Sequence, residues 1–184
     1  MPSTGPLSVV LVLASGRGER FIASGGRGSK LQAPLAGRAV LEWTLDAVRA
    51  SGLPFRVEDA GHPGMGDSIA AAVRATRDAP GWLVLPGDLP LVRPQTLQAV
   101  AAALRNSGAE VVVPVHAGQR GHPVGFARSC GDALAALSGP KGAAGIAAAC
   151  RVDELAVDDE GVVVDIDTVD ALARAEALLL GRAG

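Results

Sequence analysis

The sequence predicts an α/β protein in which a mainly parallel sheet lies between two layers of helices, a three-layer sandwich. Short apolar segments alternate with segments of helical periodicity along most of the chain, and this alternation is typical of parallel sheets with helices on both faces. The first segment, Leu7 to Ala14, is apolar almost end to end, as expected for a strand covered on both sides. The 184 residues contain no internal repeat or linker, so we expect one domain over residues 1–184.

The first half of the chain alternates regularly. After the first strand and a glycine-containing loop, an apolar stripe over residues 40–48 predicts a helix that Gly52 ends. A short strand, Phe55 to Glu58, follows. Asp67 or Ser68 is expected to cap the next helix, and the segment Trp82 to Leu85 has the pattern of a buried strand.

The second half is less regular. Pro94 suits the first turn of a helix with apolar positions up to Leu104. The remaining predicted elements are, in order, a strand from Glu110 to Val115, a strand or loop from Gly121 to Ala127, short alanine-rich helices over 132–137 and 142–149, a strand from Val162 to Ile166 and a closing helix from Thr168 to Leu180. Right-handed crossovers are the default for such a sheet, and ligands are expected beyond the carboxyl ends of its strands.

Composition excludes several classes of partner. The formal net charge is −2 and aromatic residues make up 3%, which argues against both duplex binding and a base-stacking platform for single strands. No apolar run approaches the length of a membrane span, and residues 1–8 lack the features of a signal peptide. Cys130 and Cys150 are isolated in sequence and form no metal-spacing motif. We therefore expect a cytoplasmic, reduced protein without zinc that binds neither nucleic acid nor membranes.

The loop after the first strand has the composition of a phosphate site. It reads Ser15-Gly16-Arg17-Gly18-Glu19-Arg20, and Lys30 follows a little later. Glycines allow close backbone approach to a ligand, and arginine and lysine neutralise a polyanion. The dinucleotide fingerprint fails because Phe21 stands where its third glycine belongs, and the Walker loop fails because Ser29 precedes Lys30. A tight strand-to-helix turn without a ligand is the structural alternative.

Three aspartates are candidate metal ligands. Asp88 follows the buried strand Trp82 to Leu85, which is a favourable place for a Mg²⁺ ligand, or it is a turn aspartate bonded to its own backbone. Asp165 and Asp167 are two apart on the predicted strand and would share one face, where like charges need a cation or a donor. Alternatively, Asp167 or Thr168 caps the last helix.

Together these groups fit a magnesium–triphosphate site. Mg²⁺ usually takes one or two carboxylates together with substrate phosphates, and phosphoryl-group chemistry depends mostly on positioning and charge neutralisation. No activated serine, cysteine or histidine is required. This agrees with the three histidines, none of which has an obvious acid–base partner in sequence: His62, His116 and His122.

Five segments of the chain resemble the motifs of one protein family, and they occur in the same order as in that family. They are Leu13 to Phe21 with Lys30-Leu31, Gly64 to Ile69, Gly87 to Val92, Arg120 to Phe126, and Asp165 to Thr168. By these motifs the chain resembles the MobA-like nucleotidyltransferases, and among them most of all the molybdenum cofactor cytidylyltransferases. The resemblance implies a Rossmann-like sheet of the nucleotide-diphospho-sugar transferase type.

The resemblance also implies a reaction and a set of site residues. An NTP, with CTP favoured, would donate its nucleotidyl group to the terminal phosphate of a molybdopterin-type cofactor, and a molybdenum hydroxylase would receive the product. Arg17, Lys30 and Asp88 would be catalytic, and Mg²⁺ would be held by Asp88 with Asp165 or Asp167. The implied nucleotide-binding residues are Ala14, Ser15, Gly16, Arg17, Gly18, Arg20, Lys30, Met65, Gly66, Ser68 and Asp88, and the implied acceptor-binding residues are Gly121, His122, Pro123 and Phe126.

The chain departs from the family pattern at several places. Residues 22–29 lengthen the gap between Arg20 and Lys30, Leu89 stands where cytidylyl enzymes often have Gln, and Pro140 and Ala144 replace an Asp and an Arg of the family pattern. The open alternatives are guanylyl or sugar-1-phosphate transfer and a nucleotide- or cofactor-binding chaperone without catalysis. A dinucleotide-dependent oxidoreductase is disfavoured by the missing third glycine.

Overall fold

The computed structural model describes residues 5–182. Its strands are β1 (Val9–Leu13), β2 (Pro34–Leu35), β3 (Arg38–Ala39), β4 (Phe55–Glu58), β5 (Gly81–Pro86), β6 (Val111–His116), β7 (Gln119–Arg120), β8 (Val124–Ala127) and β9 (Val152–Ala156). Its helices are α1 (Glu19–Ala23), α2 (Val40–Ser51), α3 (Met65–Ala75), α4 (Pro94–Asn106), α5 (Gly131–Ala135), α6 (Ala144–Ala149) and α7 (Val169–Arg182). Among these described residues, the helices are too short or too polar to cross a membrane.

The main sheet is mostly parallel, as predicted. Its strands follow the order β4, β1, β5, β8 and β6, while β7 and β9 pair with opposite edges of β6. β4 and β5 pair with β1 in parallel, and β9 pairs with β6 in parallel. Only β7 and β8, within residues 5–182, run against the others. A short β2–β3 hairpin lies outside this sheet.

The period of two in β1 separates the two helical layers. Val10 and Val12 belong to the apolar cluster that α2 and α4 form on one face of the sheet. Leu11 and Leu13 belong to the cluster that α3 and α5 form on the other face. Successive side chains of a strand point to opposite faces, so an almost continuous apolar strand is buried by helices on both sides. The three-layer α/β prediction is confirmed.

The last helix holds the segment around Lys30 in place. Ala175 of α7 packs with Leu35 and Val40 in a third apolar cluster. Glu176 Oε1 of the same helix accepts a hydrogen bond from the backbone N–H of Ala36 at 2.7 Å. The hairpin that follows Lys30 is therefore fixed against the C-terminal helix.

One predicted strand is wrong, and one observed strand was not predicted. Residues 162–166 do not form a strand: a 3-10 turn, Glu160–Val162, leads into an irregular segment in which Val162 and Ile166 are nevertheless buried. The strand of this region is β9, which the prediction omits because its sequence, Val-Asp-Glu-Leu-Ala, is partly exposed at the sheet edge and lacks an apolar run. Apolar side chains of the 162–166 segment fill the core without a partner strand.

The beginning of α3 is also corrected. The helix starts at Met65 after the extended residue Gly64, before either predicted cap. Asp67 Oδ2 instead accepts a hydrogen bond from the backbone N–H of Gly139 at 3.0 Å, and the Ser68 hydroxyl donates to the Gly64 carbonyl at 3.2 Å. For the last helix, Asp167 and Thr168 were the alternative predicted caps. The Thr168 hydroxyl oxygen accepts a hydrogen bond from the Ala171 N–H at 3.1 Å, so Thr168 is the cap.

Candidate active site

The loop after β1 is anchored by the neighbouring strand β4. The Ala14 N–H and the Ser15 hydroxyl both donate to the carbonyl of Glu58, at 2.9 and 3.1 Å. Gly18 adopts a left-handed conformation with φ of 63°, and a Cβ there would lie 3.5 Å from the Lys30 side chain. The glycine therefore turns the chain into α1 while leaving room for Lys30. This places the exposed residues Gly16 and Arg17 at the carboxyl edge of the sheet.

Three carboxylates converge at this edge. One oxygen each from Asp88, Asp165 and Asp167 lies within 4.8 Å of the others. Asp88 follows β5 directly and is buried, whereas Asp165 is exposed. Asp165 and Asp167 come from the irregular segment before α7. This segment is held against the loop after β5 by a hydrogen bond of 3.0 Å from the Ile166 N–H to the Asp88 carbonyl. The cluster forms although no strand carries the two late aspartates.

Lys30 lies between two of these carboxylates. Its Nζ is 2.5 Å from Asp88 Oδ2 and 2.7 Å from Asp167 Oδ1. Arg20 binds the other oxygen of Asp167 at 2.6 Å, although its own side chain is 79% exposed. The second oxygen of Asp88, Oδ1, is buried and has no hydrogen-bond partner among residues 5–182. A buried carboxylate oxygen without a partner is costly, and it marks a position where a cation would be favourable.

The electrostatics of the cluster are consistent with this arrangement. Burial opposes the charge on the Lys30 ammonium, but Asp88 and Asp167 outweigh it and raise the pKa of Lys30 above its ordinary value. Partial burial also opposes ionisation of Asp167, yet the contacts from Lys30 and Arg20 lower the pKa of Asp167. Loss of hydration, together with the neighbouring Asp167, raises the pKa of Asp165. Two cations thus pair with Asp88 and Asp167, while the neighbouring Asp167 opposes ionisation of Asp165.

A cavity of about 250 Å³ adjoins the cluster. Its lining comes from the loops after β1, β4 and β5, and it includes seven of the predicted site residues: Ser15, Gly16, Arg17, Lys30, Met65, Ser68 and Asp88. Three parallel strands thus contribute to one opening at their carboxyl ends, as the topology rule requires.

A second cavity of about 390 Å³ shares Leu13, Met65 and Pro86 with the first. Three of the predicted acceptor residues line it, namely Gly121, His122 and Phe126. The other walls are mainly apolar and come from β5, β6, β8 and α6. Burial lowers the pKa of His122, and the charge of Asp88 offsets this only in part. The mostly apolar cavity therefore favours the neutral form of His122.

Other predicted site residues lie around the two cavities without lining them. Ala14 belongs to the anchored end of the β1 loop, and Arg20 holds Asp167. Gly66 is packed under the chain at Ser138 and Lys141, where a Cβ would meet backbone atoms at 2.8–3.0 Å. Pro123 follows His122 through a cis peptide bond. The inserted segment 22–29 turns back on α1, where Gly26 lies against the ring of Phe21.

Sequence reasoning missed the residues on the β4 side of the first cavity. This side is lined by His62, Pro63 and Gly64, and Pro140 also lines the cavity. His62 Nε2 lies 3.1 Å from Oε1 of the buried residue Glu58, so this histidine does have a carboxylate partner. The spacing of four residues between Glu58 and His62 was visible in the sequence, but only the turn after β4 brings the two side chains together.

Comparisons with known proteins agree with the fold and assign the chain to a family. The profile of the MobA-like NTP transferase domain matches residues 48–155, more than half of the chain. The bifunctional protein GlmU of Geobacter metallireducens is 29% identical over 56% of this chain. That match spans about a quarter of the relative, 26% of its length.

Solved structures extend the likeness to nearly the whole chain. Rv0371c from Mycobacterium tuberculosis H37Rv has 28% identity and a TM-score of 0.78, covering 95% of this chain and 99% of that one. A complex of Rv0371c with manganese is 25% identical with a TM-score of 0.69, covering 93% and 98%.

The molybdopterin-guanine dinucleotide biosynthesis protein A from Archaeoglobus fulgidus is 24% identical with a TM-score of 0.70, covering 94% of this chain and 99% of that one, and shows the shared fold. The family profile matches the chain from the end of α2 into β9, so the family assignment rests on sequence as well as on shape. The chain belongs to the MobA-like NTP transferase domain family.

Proposed function

We propose that this protein is a magnesium-dependent nucleotidyltransferase that transfers the nucleotidyl group of an NTP, with CTP favoured, to the terminal phosphate of a molybdopterin-type cofactor. The observation that carries the proposal is the unpartnered, buried oxygen of Asp88 in a cluster of carboxylates beside a cationic, glycine-lined loop. Family membership supports the reaction class, and the second cavity next to the first supports the presence of an acceptor.

The residues of the cluster fit a divalent cation. Carboxylate oxygens are the ligands that Mg²⁺ takes in proteins, usually one or two of them with phosphate oxygens and water. Asp88 Oδ1 is free of protein donors among the described residues, and Asp165 and Asp167 each place an oxygen within 4.8 Å of the cluster. Bound there, Mg²⁺ would neutralise phosphate charge and polarise the α-phosphorus. The manganese complex of Rv0371c, a similar protein, is in keeping with a divalent ion in this fold.

The chain's own groups then have separate tasks. Gly16, Arg17 and Lys30 bind the triphosphate, where their backbone and cationic groups offset its charge. The side of the cavity that Met65 and Ser68 line takes the ribose and base.

The acceptor enters from the second cavity. Its phosphate monoester has a second pKa of about 6 and is already a good anionic nucleophile at pH 7. An acceptor oxygen forms a bond to the α-phosphorus while the bond from that phosphorus to the β-phosphate bridging oxygen breaks, and pyrophosphate leaves. The enzyme mainly holds two polyanions in line. In this proposal His122, at the wall of this cavity, donates a hydrogen bond to the acceptor.

Calorimetry with each of the four common NTPs in the presence of Mg²⁺ tests the nucleotide half of the proposal. Pyrophosphate release with molybdopterin-type cofactor as acceptor tests the transfer. Tight NTP binding without release for any NTP would favour the non-catalytic chaperone. Turnover with a sugar 1-phosphate and without a pterin acceptor would replace the proposed substrate.

Asp88→Asn tests the metal assignment with a side chain of the same size. It keeps the size of the side chain and removes one carboxylate, so metal-dependent turnover should fall by about 10²–10³-fold, the range seen when one preorganised electrostatic group is removed. Asp170→Asn is the control, because Asp170 is an exposed carboxylate that follows Asp167 by three residues and is no part of the cluster. Equal activities of the two variants would contradict the metal assignment.

A further inference from the structure

The two cysteines, far apart in sequence, meet in the fold. Cys130 ends the 3-10 turn before α5 and is buried, and Cys150 follows α6 and is half-buried. Their Sγ atoms are 3.9 Å apart, and the Cys130 thiol is also 3.6 Å from the carbonyl of Glu110. The site described above uses neither thiol, so their proximity needs a separate explanation.

We propose that Cys130 and Cys150 are a redox-modification site, at which a reversible intramolecular disulfide fixes the segment between them. The sulfur atoms need to approach from 3.9 Å to about 2.05 Å, a movement that side-chain rotation and a small shift of the chain at Cys150 can supply. Cytosolic disulfides in mesophilic proteins are rare and, where they occur, are usually transient and redox-sensing.

The segment enclosed by the cysteines forms a shared wall of the two cavities. Pro140 lines the first, and Ala143, Ala144 and Ala147 line the second. No side chain of α6 is fully buried, and only Ile146 and Ala147 of this short helix pack against the core, where they are partly buried, so its apolar anchoring is limited. A disulfide would join Cys150, at the C-terminal end of α6, to Cys130. Cys130 already belongs to the apolar cluster that α3 and α5 form on one face of the sheet.

Oxidised glutathione, a low-molecular-weight disulfide, is a suitable oxidant for the step. The Cys150 thiolate attacks one sulfur of the oxidant and releases one glutathione thiolate, which leaves a mixed disulfide on Cys150. The Cys130 thiolate then attacks the Cys150 sulfur and releases the second glutathione. Two protein thiols are oxidised, one disulfide is reduced to two thiols, and the protons of the cysteines pass to the released glutathiones.

The order of attack follows from the surroundings of the two thiols. Burial, with a further contribution from Cys150, raises the pKa of Cys130 to about 11. Its thiolate fraction at neutral pH is therefore small, and thiolate is the attacking species. Cys150 is the more accessible of the two, so it reacts first and Cys130 completes the bond more slowly.

Limited proteolysis gives a direct test because Lys141 is the only lysine or arginine between the two cysteines and is exposed. The full chain is equilibrated with oxidised or reduced glutathione, and the disulfide is mapped by mass spectrometry after digestion. We expect a Cys130–Cys150 disulfide that dithiothreitol reverses. We also expect the initial rate of tryptic cleavage after Lys141 to fall by roughly tenfold on oxidation, the factor that about 1.4 kcal/mol of added local stability produces.

Cys150→Ser is the matched variant, since a half-buried thiol is replaced by a hydroxyl of similar size. Its cleavage rate should be the same under both redox conditions and equal to that of the reduced wild-type chain. If this variant does not fold, Cys130→Ala replaces it. Formation of only a mixed glutathione disulfide or an intermolecular dimer would overturn the proposal. A Cys130–Cys150 disulfide that leaves the cleavage rate unchanged would overturn the claim that the bond fixes the wall.

Discussion

Lys30→Met separates the charge of Lys30 from its packing. Methionine keeps an unbranched apolar side chain against Gly18 but removes the ammonium that pairs with Asp88 and Asp167. The side chains of Lys30 and Asp88 are only 13% and 9% exposed, so this pair is largely shielded from water. Removing one partner of a buried ion pair costs about 3–5 kcal/mol. Asp167 keeps Arg20, which places the expected loss near the lower end, about 3 kcal/mol.

That loss leaves a folded protein with a measurable change in melting temperature. Domains are stable by about 5–15 kcal/mol, and a chain of 150–250 residues loses about 2–4 °C for each kcal/mol. We therefore expect the Tm of Lys30→Met to fall by about 6–12 °C in the absence of divalent ions. Lys141→Met is the control, because Lys141 is exposed and belongs to no ion pair among the described residues, and its Tm should stay close to that of the wild type.

Added Mg²⁺ makes the test specific for the site. In the wild type a divalent ion competes with the Lys30 ammonium for the carboxylates, whereas in Lys30→Met the carboxylates lack that cation. At 100 times its Kd, a ligand of the folded state adds about 2.7 kcal/mol, so Mg²⁺ should restore most of the lost Tm in the variant and raise that of the wild type by less. NTP binding by the variant should remain weaker.

Three results would refute this reasoning. An unchanged Tm for Lys30→Met would show that the ammonium does not stabilise the acidic cluster. A lowered Tm that Mg²⁺ raises no more than in the wild type would show that the ion does not compete with Lys30 for the carboxylates, and a Tm that Mg²⁺ leaves unchanged in both proteins would show that the cluster does not bind the ion. Differential scanning fluorimetry across a Mg²⁺ titration, with each protein treated first with a chelator, measures both quantities.

Three further outcomes follow from single contacts. Arg20→Ala should change the Tm by no more than about 2–4 °C, since an exposed ion pair contributes about 0–1 kcal/mol; a larger loss in thermal denaturation would mean that Arg20 has a further role. Gly64→Ala should destabilise the chain by about 1–3 kcal/mol in urea unfolding, because a Cβ would overlap the Gly139 carbonyl oxygen, whereas Gly145→Ala, with no atom within 4 Å of the added Cβ, should not. Iodoacetamide at pH 8 should label Cys150 before Cys130, whose pKa of about 11 keeps the thiol protonated; equal labelling rates by peptide mass spectrometry would contradict this.

Much of the fold was predictable because it depends on neighbouring residues. The period of two in β1 and the helical stripe of α2 each appear in a few consecutive positions. The same locality allowed Asp88 to be placed at the carboxyl end of a buried strand. β9 was not predicted because an edge strand needs few apolar residues. The 162–166 segment was wrongly predicted as a strand because apolar residues can be buried without pairing to a neighbouring strand.

The sequence by itself determined the α/β architecture, the glycine-lined loop with its cations, and the types of residue that carry charge, since each is encoded in a short stretch of chain. Only the tertiary structure decided which of these groups meet. Lys30 pairs with Asp88 and Asp167 across 58 and 137 residues, and Cys130 meets Cys150 across 20 residues. Such encounters depend on the path of every crossover between the partners, and the local pattern of side chains does not fix that path.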